Sequence, residues 1–503
     1  MHDHVDVRRG AYHDSVTLMQ VSRRVGDVDG VDGAFVAMGT DLNLDVLAGM
    51  GLAVPEAGPN DLVIAIRAAD ETVLDAALTE LEAALAASRG GAAGAGLGDA
   101  VPPRTVRDAA LHGGDLALIS VPGDHAYVEA LDALRAGLHV HVFSDNVPVA
   151  QEVALKREAR DRGLLVMGPD AGTAIIAGVG LGFANVAEPG PVGLVAASGT
   201  GAQQLTCLLD DAGVGVSHVL GVGGRDVSSA VGGIATLQAL AALDADPATE
   251  LIVLLSKPPD EAAGAAVREA ADACTTPVVL GLLGPREDDL TGVAGSVLTA
   301  LGRDVPTWAE WGPRPTRAAA AEGPTPGPTR LVGLFAGGTL CAETLLIAER
   351  RLGPVASNIS ADPDHRLTGA VTADGHVLLD LGEDEYTRGR PHPMIDQQLR
   401  VERIAAEAAR ADTAVLLLDV VLGLGAHPDP AAELAPAIAD ARRHAEDEGR
   451  ELAVVVSLCG TSGDPQGRDR QAEVLAAAGA FVTVSNAEAA RLAVGYVAGE
   501  GAA

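Results

Sequence analysis

Aromatic side chains make up only 2% of these 503 residues. Interiors built from this chain must therefore be filled by small aliphatic side chains, of which alanine and valine are the commonest. Lysine is scarcer still: Lys156 and Lys257 are the only two, and the other side-chain cations are arginines and histidines. Lys and Arg together number 35 against 69 acids, a formal net charge of −34. That balance excludes nucleic acid as a partner by repulsion and fits a well-solvated surface or a salt-adapted source. No apolar run approaches the ~20 residues that span a bilayer, and the start Met1-His-Asp-His-Val-Asp6 has neither a basic n-region nor an apolar h-region. A cytoplasmic protein with no membrane partner is expected. Cys207, Cys274, Cys341 and Cys459 form no C-x-x-C and sit among apolar neighbours, so buried thiols are expected rather than disulfides or a zinc site.

What is present is a regular alternation of apolar runs and amphipathic stretches. At roughly 100–200 residues per domain the length calls for three or four domains. A small α/β unit is assigned to 1–88, with strand runs at 31–38 and 62–68 and helical patterns after Asp14 and Asp70. Residues 86–104, rich in glycine, and 303–330, rich in proline, alanine and arginine, read as linkers. In a unit at 104–190, strand runs at 116–121, 139–143 and 164–167 alternate with helices at 126–136 and 147–162. Strands separated by helices of this length mean βαβ units and a parallel sheet. The rhythm continues through 192–197, 216–221, 251–255 and 277–283 in a unit at 191–302, and through 414–418 and 453–458 in a unit at 330–503. Residues 331–345 laid beside 192–205 with one deletion repeat V-G-L and then Gly-Thr opening a helix. A duplicated domain is the simplest account.

Ser198-Gly-Thr-Gly201 follows a buried run and opens a helix. A small-residue loop can turn backbone N–H groups inward while the helix N-terminus adds partial positive charge, so such a loop suits phosphate or carboxylate without a basic side chain. The plainer reading is a tight βα turn. Parallel sheets bind ligands at the carboxyl ends of their strands. That rule puts Ser198, Gly199, Thr200 and Gly201, then Gly223, Gly224 and Arg225, then Gly337, Gly338 and Thr339, and finally 460–463, on ligand-facing edges. Other candidates have two readings each. Arg388 and Arg390 follow Glu383-Asp-Glu385 and either bind an anion or balance those charges; Tyr386 either binds or packs. His392 precedes Pro393, which suits either acid–base work or the first turn of a helix running to Arg410. Asp419 ends an apolar run, so it orients an arginine or a metal-bound water or caps the next loop. Asn358, Asp362, Asp364 and His365 offer either oxygen ligands for Mg²⁺ or an Asx-rich turn around Pro363, the turn being favoured. His139 and His141 are expected to be structural, and Lys257 sits where a phosphate fits or is merely solvated.

The order Met167-Gly-Pro-Asp170, Ser198-Gly-Thr200, Gly221-Val-Gly-Gly224 resembles the α subunit of succinyl-CoA synthetase over roughly 105–300. There a phosphorylated histidine shuttles between sites; the matching segment here, Gly281-Leu-Leu-Gly-Pro-Arg-Glu-Asp-Asp-Leu290, has none. The strand that ends near a helping glutamate in that family ends here at Ser256-Lys257-Pro258, and the glycine-rich loop that opens the family's CoA-binding domain is not found before Leu116.

The whole chain is similar to the FdrA family, acyl-CoA synthetase-like and linked to oxamate carbamoyltransferase as one subunit of a multi-protein enzyme. The residues that carry this are Tyr12-His-Asp-Ser-Val-Thr-Leu-Met19, Met38-Gly-Thr40, Pro59-Asn-Asp-Leu62, the Ser198 loop, Gly223-Gly-Arg-Asp226, Gly337-Gly-Thr-Leu-Cys-Ala-Glu343, Leu418-Asp-Val-Val-Leu-Gly-Leu-Gly-Ala-His-Pro-Asp-Pro430 and, above all, Tyr386-Thr-Arg-Gly-Arg-Pro-His-Pro-Met-Ile-Asp396. The resemblances imply a fold: a Rossmann-like, CoA-binding-like domain at 104–190, then two flavodoxin-like domains, with a small N-terminal α/β domain before them. They also imply carbamoyl transfer between carbamoyl phosphate and oxamate, the phosphorolysis of oxalurate in allantoin catabolism. Glycine loops would hold phosphate, Arg225, Arg388 and Arg390 the carboxylate, and His392 the tetrahedral oxyanion or a proton. The alternatives are a nucleotide-forming acyl-CoA synthetase subunit and a noncatalytic scaffold or metabolite sensor. No cofactor is firmly implied, CoA or Mg²⁺ being the candidates; the implied partners are small anionic substrates and other subunits.

Overall fold

The structure is a computed structural model that describes residues 2–11, 13, 15–52, 55–90, 103–257, 259–316, 329–368, 374–388 and 390–499. The first unit runs β1 (His2–Arg8), α1 (Ser15–Gly26), β2 (Val31–Met38), α2 (Asp41–Gly49), β3 (Leu62–Ala68), α3 (Glu71–Gly90). Its sheet has the order β1-β3-β2, antiparallel throughout. The central strand is apolar on both faces because both are covered. Leu62, Ile64 and Ile66 pack on Leu18, Val21, Leu81 and Leu85 of α1 and α3, while Val63 and Ala65 face Leu47 and Leu52 around α2. β1, polar and half-exposed, was not foreseen.

The second unit, α4 (Val106–Ala110), β4 (Leu116–Ile119), α5 (Gly123–Arg135), β5 (His139–Val142), α6 (Val149–Arg162), β6 (Val166–Met167), forms a three-stranded parallel sheet β4-β5-β6. His141 is buried with Nε2 2.7 Å from the Ala171 carbonyl, and His139 Nδ1 accepts from Leu165 N. Both are structural. A hairpin, β7 (Thr173–Ile176) and β8 (Val179–Gly182), then joins the next sheet instead.

That third unit continues β9 (Pro189–Ala197), α7 (Gly199–Asp211), β10 (Val216–Gly221), α8 (Ile234–Asp244), β11 (Leu251–Ser256), α9 (Glu261–Ala273), β12 (Val278–Leu282), α10 (Leu290–Ala300), in the order β12-β11-β9-β10-β7-β8. The last unit comprises β13 (Glu310–Trp311), β14 (Arg330–Phe335), α11 (Gly338–Leu352), β15 (Ala356–Ser357), β16 (Val377–Asp380), α12 (Asp384–Thr387), α13 (Gln398–Ala408), β17 (Thr413–Val421), α14 (Pro430–Asp447), β18 (Ala453–Cys459), α15 (Arg468–Ala477), β19 (Phe481–Thr483) and α16 (Asn486–Ala498), in the order β13-β19-β18-β17-β14-β16-β15. In both sheets the strand that precedes a Gly-Thr loop is central with parallel neighbours on both sides, β9 between β10 and β11 and β14 between β16 and β17. The repeat seen in sequence is thus matched in topology.

Both linker readings need correction where the chain is described. α3 runs on to Gly90, and β13 pairs antiparallel with β19 (Glu310 with Thr483) while Trp308 and Trp311 pack on the core. Residues 91–102 and 317–328 lie outside the described residues. Likewise His392 does not open a helix: prolines at 391 and 393 hold a turn, and α13 starts only at Gln398, whose N–H Asp396 Oδ1 accepts at 2.8 Å. Cys207, Cys341 and Cys459 are buried free thiols. Among the described residues no helix is long and apolar enough to cross a membrane.

One hydrophobic core crosses from the third unit to the last, joining Leu205, Leu208 and Leu298 to Leu340, Ala489 and Ala493. A second tie joins α6 to the loop after β10. Lys156 Nζ, fully buried, donates to Glu152 Oε1 at 2.8 Å, to Asp226 Oδ1 at 2.7 Å and to the Val222 carbonyl at 3.0 Å. Asp226 also accepts from Ala235 N, Thr236 N and Thr236 Oγ1 at the start of α8, and Arg225 lies 3.0 Å from Glu152 Oε2. Two cations thus offset two buried carboxylates.

Candidate functional site

Packing α7, α10, α11 and α16 around the shared core brings the two Gly-Thr loops together. Ser198 caps α7 by accepting from Gly201 N at 3.2 Å, and its hydroxyl is 2.7 Å from that of Thr339. Thr339 N donates to Thr200 Oγ1 at 3.3 Å. A Cβ at Gly201 would lie 2.9 Å from Thr339 Cγ2, and one at Gly337 would lie 3.0 Å from Thr200, so these glycines are needed for the approach. The N-termini of two helices of 13 and 15 residues therefore converge, each adding roughly half a positive charge.

Asp419 does not face this junction from the ligand side. It is fully buried, accepts from Ala336 N and Gly337 N at 2.7 Å each, and pairs with Arg400 at 2.8 Å. Of the roles considered for it, orienting an arginine is the one observed; fixing the loop before α11, rather than the loop after its own strand, was not foreseen.

Beside α11 stand an acid and a histidine. Asp380 ends β16 and is held by Asn358, whose side chain binds both its backbone N–H and its carbonyl. Asp380 Oδ1 accepts from Gly382 N at 2.9 Å. Burial, aided by Glu383, pushes its carboxyl up to about 7 despite Gly382 N–H and Lys257, which favour the charged form. His392 is half-buried, with Nε2 and Asp380 Oδ1 both crowding the Cα of Gly382: a Cβ there would lie 2.7 Å from the first and 3.1 Å from the second. Burial and Arg400 pull His392 down to about 4, so its ring is neutral at pH 7. Nδ1 accepts from Met394 N, which assigns the ring proton to Nε2. Phe183, itself against Phe143, covers the ring at 5.9 Å.

The site thus gathers Ser198, Gly199, Thr200, Gly201, Gly337, Gly338, Thr339 and His392 from the sequence reading. Lys257 belongs with them: exposed at the end of β11, it acts on the carboxyl of Asp380 across the unit boundary. Others stand apart. Arg388 and Arg390 are exposed, and Arg390 is 3.9 Å from Glu402. Tyr386 packs on the second core of the last unit, its hydroxyl unpaired among the described residues. Gly223, at φ +86°, backs onto the Pro169 carbonyl, where a Cβ would lie 2.4 Å away; Gly224 adjoins it, and Arg225 is tied to the Val147 carbonyl at 2.9 Å. Gly460 and Thr461 are buried, Thr461 Oγ1 donating to the Val186 carbonyl at 2.6 Å, while Ser462 and Gly463 are exposed. Asn358 serves Asp380, while Asp362 Oδ1 accepts from Asp364 N in an Asx turn. Among the described residues no three His, Cys, Asp or Glu side chains come together to hold a metal ion. Asp380 and Gly382 were missed, although an acid closing an apolar strand was the signal already used for Asp419.

Three families match parts of the chain. Residues 334–495 match the one described as CoA-ligase, 187–281 the CoA binding domain, and 1–100 the "AllF, heavy metal-associated domain". The metal of that last description has no cysteine to bind within 1–100. The malate–CoA ligase subunit alpha of Methylorubrum extorquens is 27% identical over 34% of this chain and 60% of its own length. The succinate–CoA ligase [ADP-forming] subunit alpha of Methanothermobacter thermautotrophicus is 28% identical over 28% of this chain and 48% of its own. The Escherichia coli (strain K12) protein YahF is 38% identical over 98% of both chains. The chain belongs to the family of YahF, acyl-CoA synthetase-like in fold.

Proposed function

We propose that this protein is an acyl-transferring enzyme of the acid–thiol ligase class, and that its chemical step is attack of phosphate on an activated carbonyl carbon where α7 meets α11. The observation that carries the reading is the convergence of the two Gly-Thr loops, Ser198 Oγ on Thr339 Oγ1 at 2.7 Å. Two helix N-termini and their hydroxyls suit a phosphate dianion. Neutral His392, its proton on Nε2, suits hydrogen-bond donation to the carbonyl oxygen as negative charge grows there. The same tautomer makes Nε2 a donor rather than a nucleophile, so phosphate is transferred without a phosphohistidine.

The CoA of such ligases has to be held by positive groups. At the strand ends of β5 and β6 the residues do not fit: desolvation, then Asp145, with Asp384 and Glu383 behind them, push Asp170 up to about 6 even against Arg225, which marks a mainly acidic edge. The 187–281 stretch does fit, with exposed Lys257 and the N-terminus of α7 as the groups that would hold its phosphates. When bound, CoA supplies the thiol acceptor.

A second reading, carbamoyl transfer between carbamoyl phosphate and oxamate within a complex of several subunits, is favoured by that acidic edge and by the donor tautomer of His392. It needs only small anions and no phosphoenzyme. The two readings share one step and differ in the acceptor. The test is phosphate-dependent release of free thiol from short acyl-CoA beside phosphate-dependent release of oxamate from oxalurate, with the chain alone and with co-purifying subunits. His392→Ala is expected to lower kcat about 10- to 100-fold in the active arm. A stable phosphohistidine after labelling with radioactive γ-phosphate and alkaline quench, or no turnover in either arm, overturns the proposal.

A further inference from the structure

The junction holds one buried group that this reaction has not yet used. Asp380 is 3% exposed, yet its Oδ2 accepts no hydrogen bond among the described residues. That oxygen lies against the first residue of α11: a Cβ at Gly338 would stand 2.4 Å from it. Asn358 fixes the backbone on both sides and Gly382 N–H fixes Oδ1, so the free oxygen is aimed at the converging helix ends by a rigid frame. We propose that Asp380 is a catalytic residue that carries the proton in phosphorolysis at this junction, an assignment that rests on the function proposed above.

The step balances as follows. A phosphate oxygen bonds to the carbonyl carbon, the bond from that carbon to the leaving sulfur or nitrogen breaks, and the leaving atom's electron pair takes the proton of the Asp380 carboxyl. The resulting carboxylate then takes the remaining proton of the acyl or carbamoyl phosphate, which restores the acid. No other group nearby can do this as well. His392 is neutral with Nε2–H a weak acid, and Lys257 stands in solvent outside the frame that holds Asp380. The groups facing Asp380 are Glu383 and Tyr386 beyond β16, Lys257 beyond β11, Cys341 on α11, Asp419 on β17 and His392 across Gly382. Burial first, then Glu383, keeps its proton affinity near neutrality.

Inorganic sulfate is the probe, because it is a tetrahedral dianion that does not titrate near pH 7. Calorimetric titration of the full chain in two buffers of different ionisation enthalpy reads the protons taken up on binding. The expected result is uptake of a large fraction of one proton at pH 7.5, retained in His392→Gln and lost in Asp380→Asn, which still binds sulfate. In the active arm of the phosphorolysis assay, Asp380→Asn is expected to lose about 100- to 10,000-fold in kcat with KM nearly unchanged, and to lose the fall in kcat/KM above pH 7. Asp380→Ser repeats both measurements should the amide not be accommodated. Uptake of no proton by the wild type, or uptake that survives in the Asp380 variants, overturns the assignment while leaving the junction as an anion site. Failure of the wild type to bind either sulfate or phosphate overturns the junction reading and this one with it.

Discussion

Two buried polar clusters, each at a boundary between units, differ in how completely they are paired. Around Lys156 all three ammonium protons have acceptors, Asp226 accepts four hydrogen bonds, and the nearby charges are balanced. Around Asp380 the pairing stops halfway: Oδ2 and His392 Nε2 have no hydrogen-bond partner among the described residues, and Lys257 stands in solvent. A closed network holds units together, whereas an open one has capacity left for a substrate. The two lysines of the chain sit one in each, so the same residue type does opposite jobs according to what surrounds it.

The largest expected effect tests the closed cluster. Lys156→Met leaves Asp226 buried without a cation and Glu152 with Arg225 alone, and should cost about 3–5 kcal/mol in urea unfolding; a loss below 1 kcal/mol would show that the triad is not a clamp. Next is pH. Glu343, buried between Leu290 N and Asn486 Nδ2, is pushed by burial up to about 7 from 4.5. A folded value above the unfolded one means that the contribution is full below pH 4.5 and is lost as pH rises through about 7. The Glu343 contribution should therefore fall by about 2–3 kcal/mol between pH 5 and 8, and Glu343→Gln should remove that part of the slope, Asp380 adding one of the same sign and similar size.

The open cluster is broken by filling it. Gly382→Ala sets a methyl 2.9 Å from the Ala336 carbonyl and 2.7 Å from His392 Nε2, and turnover should drop about 10- to 100-fold as the ring is displaced. Lys257→Met should weaken sulfate binding only about 5- to 10-fold at low salt, and less at high salt, as one exposed charge would. Smallest of all, Arg388→Ala and Arg390→Ala should leave turnover within about twofold; a larger loss would restore the anion-clamp role that their exposure argues against.

Much of this fold was legible because strands buried on both faces are written as unbroken apolar runs. The expected strands at 31–38, 62–68 and 216–221 are β2, β3 and β10 to the residue. β1 escaped because His2–Arg8 alternates polar residues at a half-exposed edge, and β16 because its three apolar residues, Val377-Leu-Leu379, are closed at once by Asp380. At the site, the Gly-Thr loops and His392 could be nominated from local chemistry. That Ser198 touches Thr339, 141 positions away, is a product of helix packing, which leaves no local trace. The arginines misled because a guanidinium beside unusual neighbours reads alike whether it points inward or out.

The core shared by the third and last units carries a consequence for how the molecule melts. Leu205 and Leu298 lie in one continuous core with Leu340 and Ala493, so loss of packing in one sheet unit exposes apolar surface of the other. Calorimetry should record a single cooperative endotherm for these two units, with any separate early event confined to the N-terminal unit. Two halves of similar sequence pattern should thus behave as one folding unit, and neither is expected to be stable when expressed alone.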